Sequence, residues 1–304
     1  MKNFFALILF VSAFSFSAFA QSYVKDMKRD SARSDQRTGG KIEKTTLKNG
    51  DGDVKITINV PAFQMTLWQN GKEVKSYPIG VGMKEFPMFI GVREIKMLIW
   101  NPSWIPPDSD WVSEGLKGVP IPPTDPRNPL GKMKIPLGYG YLLHQAKGAQ
   151  DMGNLVSHGC VRVMRDDIYD LSEKIVGAYE LEVSSAQIAE AKRTKETLIA
   201  ETDSIVSVEI TYDTMVVEGG ELHIYPDVYD RRKKDNLEIL REELKANNVD
   251  ASELSDAALN RMINRAAGKN QYVIDLKDVE AGNLTRGRIV PVLAAKNAPT
   301  RRKR

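Results

Sequence analysis

The sequence predicts a mainly β fold with short helices, followed by a smaller α+β region at the C-terminal end. Three observations carry this. From Asp53 onward, short runs of alternating apolar and polar residues are separated by turn signals, the period-two pattern of half-buried strands. Nine of the 15 prolines fall between Asn101 and Tyr139, a segment that reads as neither helix nor central strand. Helical periodicity is confined to short stretches after Val163 and becomes frequent only after residue 232.

The first twenty residues, "MKNFFALILFVSAFSFSAFA", read as a signal peptide: Lys2 supplies the positive start, Phe4 to Phe16 the apolar run, and Ala18-Phe19-Ala20 an A-x-A cleavage site. Cleavage is expected after Ala20, leaving no transmembrane anchor, and the expected location is the periplasm. Residues 21–52 are polar and unpatterned, a flexible leader. The first domain is expected over 53–183. It opens with "VKITINV" at 54–60 and continues with "FQMTLWQ", the Asn70-Gly71 hairpin turn, "EVKSYPIGVG" and "MFIGVREIKMLIW". After the proline-rich segment, which has the length of a lid or binding loop, "GYLLHQ" reads as a strand and "VSHGCVRV" as the next. In "RDDIYDLSEKIV", Ile168, Leu171 and Ile175 recur at helical spacing behind an acidic first turn. The C-terminal α+β region, 184–304, begins with a charged helix-forming stretch over 186–200. It continues with strands around Gly219-Gly220, the helical patterns "DNLEILREELKANN" and "SDAALNRMINRAAG", the strand "QYVIDL", and a basic tail ending "RRKR".

Over 304 residues, 43 Lys and Arg face 40 Asp and Glu, a net charge of +3. That balance points to no nucleic-acid partner. Cys160 is the only cysteine, so an exported chain has no intramolecular disulfide to make. It stands in "SHGCVR", two residues after His158 and sixteen after His144. On an extended strand His158, Cys160 and Arg162 share one face, and a nearby imidazole can activate a thiol. Gly159 permits close backbone approach, and N–H groups of Gly159 and Cys160 can face an oxyanion. Arg162 offers a fixed charge to a substrate carboxylate. Three readings compete: Cys160 as nucleophile, Cys160 and the histidines as structural residues, and a metal site from His144, His158 and Cys160 with Asp151. The metal reading matches no usual ligand spacing.

"SHGCVR", with a histidine closing a hydrophobic strand upstream, resembles the signature of L,D-transpeptidases with the YkuD-type catalytic domain. "ITINVPAFQMTLWQNGKEVKSYPIGVG" is similar to that family's opening hairpin, "NPSWIPP" to its proline-tryptophan segment, and "NPLG" to its lead into the histidine strand. The sequence departs from the family at "EFPMFIG", where many members carry Thr-Pro-x-Gly, and it lacks the peptidoglycan-binding module of several relatives.

The resemblance implies a β-sandwich or barrel catalytic domain over 53–183, of the Gram-negative type with a C-terminal extension. It makes Cys160 the acylated nucleophile and His144 its general base, with the Gln145 backbone carbonyl holding the imidazole. Gly159 would contribute to the oxyanion hole and His158 would shape the site, while Arg162, Ser157 and Tyr141 would bind substrate. No cofactor and no metal are implied. The partners would be peptidoglycan stem peptides, joined by a 3→3 cross-link. Resolution by water would make the protein a carboxypeptidase, and resolution by a lipoprotein lysine would attach an outer-membrane lipoprotein. A non-catalytic wall-binding scaffold is the reading from another class. His223, alternating with Leu222 and Ile224, reads as a half-exposed structural histidine.

Overall fold

A computed structural model describes residues 54–232 and 234–293. The expected signal peptide, leader and basic tail lie outside the described residues.

The chain builds a nine-stranded sheet with strand order β2-β1-β9-β4-β5-β6-β8-β3-β7. Its members are β1 (Val54–Asn59), β2 (Gln64–Gln69), β3 (Lys72–Gly82), β4 (Gly91–Trp100), β5 (Met133–Pro136), β6 (Leu142–Gln145), β7 (Leu155–Ser157), β8 (Val161–Val163) and β9 (Leu198–Thr211). The sheet curls on itself through β3. The first half of this long strand pairs with β2 across the Asn70-Gly71 turn, and its second half pairs with β8 and β7. Both turn residues have positive φ, 51° and 71°, as a tight hairpin requires. The result is the sandwich-like, closed β architecture expected from the sequence.

The alternating residues of β1 and the residue just after it are core residues: Ile56, Ile58 and Val60 are fully buried in one cluster with Met65, Tyr77, Ile79 and Trp100. Each such aliphatic side chain contributes about 1.5–3 kcal/mol relative to exposure. Helix α1 (Arg165–Tyr179) follows β8 directly and buries Ile168, Leu171 and Ile175, the periodic residues of the sequence. Its acidic face is tied to the sheet by Lys75, which reaches Asp167 and Asp170 at 3.2 and 3.0 Å, and by Tyr77, whose hydroxyl donates to Asp170 at 2.9 Å.

Three expectations need correction. The proline-rich segment contains β5, a central strand between β4 and β6; Pro136 is tolerated as its last residue, with Leu137 N–H carrying the chain on to Tyr141 O at 2.9 Å. The stretch 186–200 is helical only as α2 (Ser185–Arg193), capped by Ser184 and Gln187, and then turns into β9. Strand β9 is inserted between β1 and β4. Both α2 and β9 are therefore built into the first core, beyond the expected boundary at 183.

A second sheet, β10 (Met215–Glu218), β11 (Glu221–Ile224), β12 (Asn270–Asp275) and β13 (Arg288–Pro291), is antiparallel throughout. Helices α3 (Asn236–Ala246), α4 (Asp256–Ile263) and α5 (Leu276–Glu280) complete it around a separate core of Leu222, Leu240, Leu244, Leu259 and Tyr272. His223 is buried there, not half-exposed. Its Nδ1 lies 3.0 Å from Gln271 Oε1, because β11 is an inner strand covered on both faces.

Candidate active site

Strands β6 and β8 run side by side and parallel, pairing Leu143 with Val161, His144 with Arg162 and Gln145 with Val163. Leu143, Val161 and Val163 are fully buried in the core, which turns His144 and Arg162 to the opposite face. Lys134 pairs with His144 from β5, and Gly80 with Arg162 from β3. One row across four strands therefore reads Lys134, His144, Arg162, Gly80. Cys160 immediately precedes β8, and a hydrogen bond from the Leu142 backbone reaches its sulfur. The register brings the strand of His144 alongside the one that Cys160 leads into, although the two residues are sixteen positions apart.

His144 is 5% exposed, and its Nδ1 lies 3.0 Å from the Gln145 carbonyl. A carbonyl only accepts, so Nδ1 carries the proton and Nε2 keeps its lone pair. Burial, reinforced by the Arg162 charge, pushes the His144 pKa down to about 4. Burial pushes the Cys160 thiol up to about 11, against the Leu142 hydrogen bond and Arg162, which pull it down. The resting pair is therefore neutral imidazole and neutral thiol, suited to proton transfer during attack.

Residues 157–160 are not one strand. Gly159, with φ 99°, breaks the extended run between β7 and β8. A Cβ there would meet Tyr141 Cε1 at 3.0 Å, so Tyr141 packs directly on this turn. Ser157 is 2% exposed and its hydroxyl donates to the Cys160 carbonyl, closing the turn; it is a buried clamp where a substrate contact was expected. His158 points to the surface and does not share a strand face with Cys160. Its ring stacks on Trp111 at 4.1 Å and tilts against Phe86 at 4.6 Å. Trp111 stacks in turn on Trp104 at 6.4 Å. This ladder fastens the proline-rich segment over the site, with burial as the main cause holding the His158 pKa low.

Arg162 is held by Asp151: Nη1 to Oδ2 is 3.0 Å, with side chains 12% and 6% exposed. Asp151 also accepts the Lys147 N–H at 2.8 Å, and Gly80 lets its backbone approach, since a Cβ there would sit 2.5 Å from Asp151 O. Sequence reasoning treated Asp151 only as a metal ligand and missed it as the arginine's counter-ion. It also missed Lys134, which is 7% exposed, donates to Ser103 O at 3.1 Å, and is pushed by burial to a pKa of about 8. Among the described residues no group of three or more His, Cys, Asp or Glu side chains is placed to hold a metal ion.

"NPLG" has a physical basis. The Asn128 amide donates to Pro102 O at 2.9 Å and Ile121 O at 3.2 Å, gathering the proline-rich segment. Gly131, with φ 67°, leaves the space taken by the Gln145 side chain, where a Cβ would lie 2.7 Å from Cδ. A cavity of about 390 Å³ lined by Thr214, Met215, Arg232 and Glu242 shares no residue with this site.

A closed β domain that sets a buried, carbonyl-held histidine on the strand beside a lone cysteine has the layout of an acyl-transfer domain. Residues 53–196 match the model of the YkuD family, the L,D-transpeptidase catalytic domain. The chain is 30% identical over 125 residues to "Probable L,D-transpeptidase YbiS" of Escherichia coli K12, covering 40% of this chain and 41% of that one. It is 28% identical over 142 residues to "Probable L,D-transpeptidase YcfS" of the same organism, with 44% of each covered. The match thus spans about two-fifths of these relatives' length. Among solved structures, the catalytic domain of an Enterococcus faecium L,D-transpeptidase aligns at 15% identity and a TM-score of 0.35, over 53% of this chain and all of that one. A Mycobacterium smegmatis L,D-transpeptidase aligns at 16% and 0.32, over 53% of this chain and 59% of that one. No helix among the described residues is long and apolar enough to cross a membrane.

Proposed function

We propose that this protein is an exported, periplasmic cysteine L,D-transpeptidase that joins peptidoglycan stem peptides. The observation that supports the reading is His144: buried, with Nδ1 against the Gln145 carbonyl, on the strand that pairs with the one Cys160 leads into.

In the first step Cys160 Sγ attacks the carbonyl carbon of the bond between the third residue and the terminal D-alanine of a stem tetrapeptide. His144 Nε2 takes the thiol proton, and N–H groups of the Gly159–Cys160 turn face the oxyanion. As the C–N bond breaks, His144 returns the proton to the departing D-alanine amine, leaving a thioester. In the second step the side-chain amine of another stem's diamino acid attacks the thioester and gives its proton to His144. The thiolate leaves and is reprotonated, and a 3→3 cross-link has formed. Arg162, held by Asp151, supplies the positive charge beside this chemistry, and Tyr141 lines the turn on the substrate side.

Intact mass after incubation with a carbapenem, an acylating analogue of the donor, tests the nucleophile. The expected result is one adduct per chain, lost in Cys160→Ala. No adduct at any concentration removes the enzymatic reading and leaves the scaffold. Feeding the acyl-enzyme with water, a stem amine or a lipoprotein lysine identifies the acceptor.

A further inference from the structure

The loop named by "EFPMFIG" is where the sequence departs from the YkuD family pattern, and residues after 211 are unassigned in the reaction. The structure joins the two. At the end of β3, Gly82 stands against the nucleophile turn: a Cβ on it would lie 3.0 Å from Gly159 Cα and 2.2 Å from Phe86 O. Met83 N–H donates to Ser157 O at 2.9 Å, and Phe86 N–H to Met83 O at 3.0 Å. Residues 83–88 thus fold into a tight loop whose Phe86 carbonyl faces Gly159 and whose ring lies on His158.

One side chain from the distant segment 225–232 holds both ends of this loop. The Tyr229 hydroxyl donates to Gly82 O at 2.8 Å and accepts from Met88 N–H at 3.3 Å. Tyr229 is itself fixed. Its N–H donates to the Tyr212 hydroxyl at 2.7 Å, that hydroxyl donates to Asp227 at 2.6 Å, and the two rings stack at 5.5 Å. Asp227 also accepts the N–H groups of Arg231 and Arg232 at 2.9 and 2.8 Å. Beside the clasp, Lys84 pairs with Asp230 at 2.7 Å.

We infer that Tyr229 is a positioning residue for acyl transfer: by tying Gly82 to Met88 it sets the height of the Phe86 wall against Gly159, and so the placement of the amides facing the oxyanion. This rests on the reading of Cys160 as the nucleophile. A misplaced oxyanion donor costs rate more than binding, so the defect belongs in the acylation step.

Tyr229→Phe keeps the ring and its stacking on Tyr212 and removes only the bridging hydroxyl. Stopped-flow acylation of the full-length protein by a carbapenem, over a range of concentrations, separates the limiting rate from apparent affinity. The expected result is a limiting rate lowered about tenfold or more, apparent affinity within about twofold, and a melting midpoint lowered by only a few degrees, so that the variant is fully folded at the assay temperature. Lys84→Ala, which loosens the same loop from outside, lowers the rate less. A limiting rate for Tyr229→Phe within about twofold of wild type overturns the inference, as does a loss no larger than the unfolded fraction. If the wild type itself gives no Cys160 adduct, the underlying functional reading fails instead, a result distinct from either.

Discussion

Arg162 Nη1 and Asp151 Oδ2 lie 3.0 Å apart with both side chains almost wholly buried, and Arg162 is paired in register with His144. The arginine is therefore held in a fixed position, and its charge is balanced from a segment that sequence patterning leaves blank.

Removing one member of a buried ion pair strands the other charge, at a cost of about 3–5 kcal/mol. Asp151→Asn should lower the unfolding free energy by about 3 kcal/mol in denaturant titration and slow acylation at least tenfold. The double variant Asp151→Leu/Arg162→Met should regain most of the stability and none of the activity.

The pH profile follows from the neutral resting pair. With His144 at about 4 and Cys160 at about 11, ultraviolet thiolate absorbance should be absent at neutral pH and appear only in strong alkali. Acylation should stay level across neutral pH and fall below about pH 4, where the base is protonated. A thiolate signal at neutral pH would mean a preformed ion pair.

His144 also makes stability acid-sensitive. Its folded pKa of about 4 lies below the ordinary 6.5, so as pH falls the unfolded chain takes the proton first. The stabilisation is complete above about 6.5 and is lost as pH falls through the folded value. Unfolding free energy should drop by roughly 2–3 kcal/mol across that window, and His144→Asn should flatten the drop while abolishing turnover.

The three histidines should separate cleanly by kinetics. His144→Ala should abolish turnover, and His158→Ala, which removes the rung between Trp111 and Phe86, should slow acylation about tenfold by freeing the proline-rich segment. His223→Ala breaks a buried hydrogen bond to Gln271; it should cost about 1–2 kcal/mol of stability and leave the rate per folded molecule unchanged.

The parts legible in the sequence are those encoded locally. Alternation over Val54–Val60, the Asn70-Gly71 turn and the spacing of Ile168, Leu171 and Ile175 each specify their element through near neighbours. Cys160 and His144 stood out because each is rare and chemically distinctive. Contacts across long separations were not legible. Asp151 meets Arg162 from a single 3-10 turn, Tyr229 meets Gly82 across 147 positions, and β9 enters the sheet between β1 and β4 after a helix that reads as a linker. The break at Gly159 was hidden for a different reason: "SHGCVRV" has strand composition, and only the positive φ of Gly159 shows that the chain turns there.

The most direct measurement of the central claim is mass analysis of the products formed from purified disaccharide tetrapeptide. The wild type should release D-alanine and yield a dimer cross-linked between third residues, and neither Cys160→Ala nor His144→Ala should form it. Dimer formation by Cys160→Ala, or tetrapeptide returned intact by a wild type that acylates normally with a carbapenem, would contradict the account.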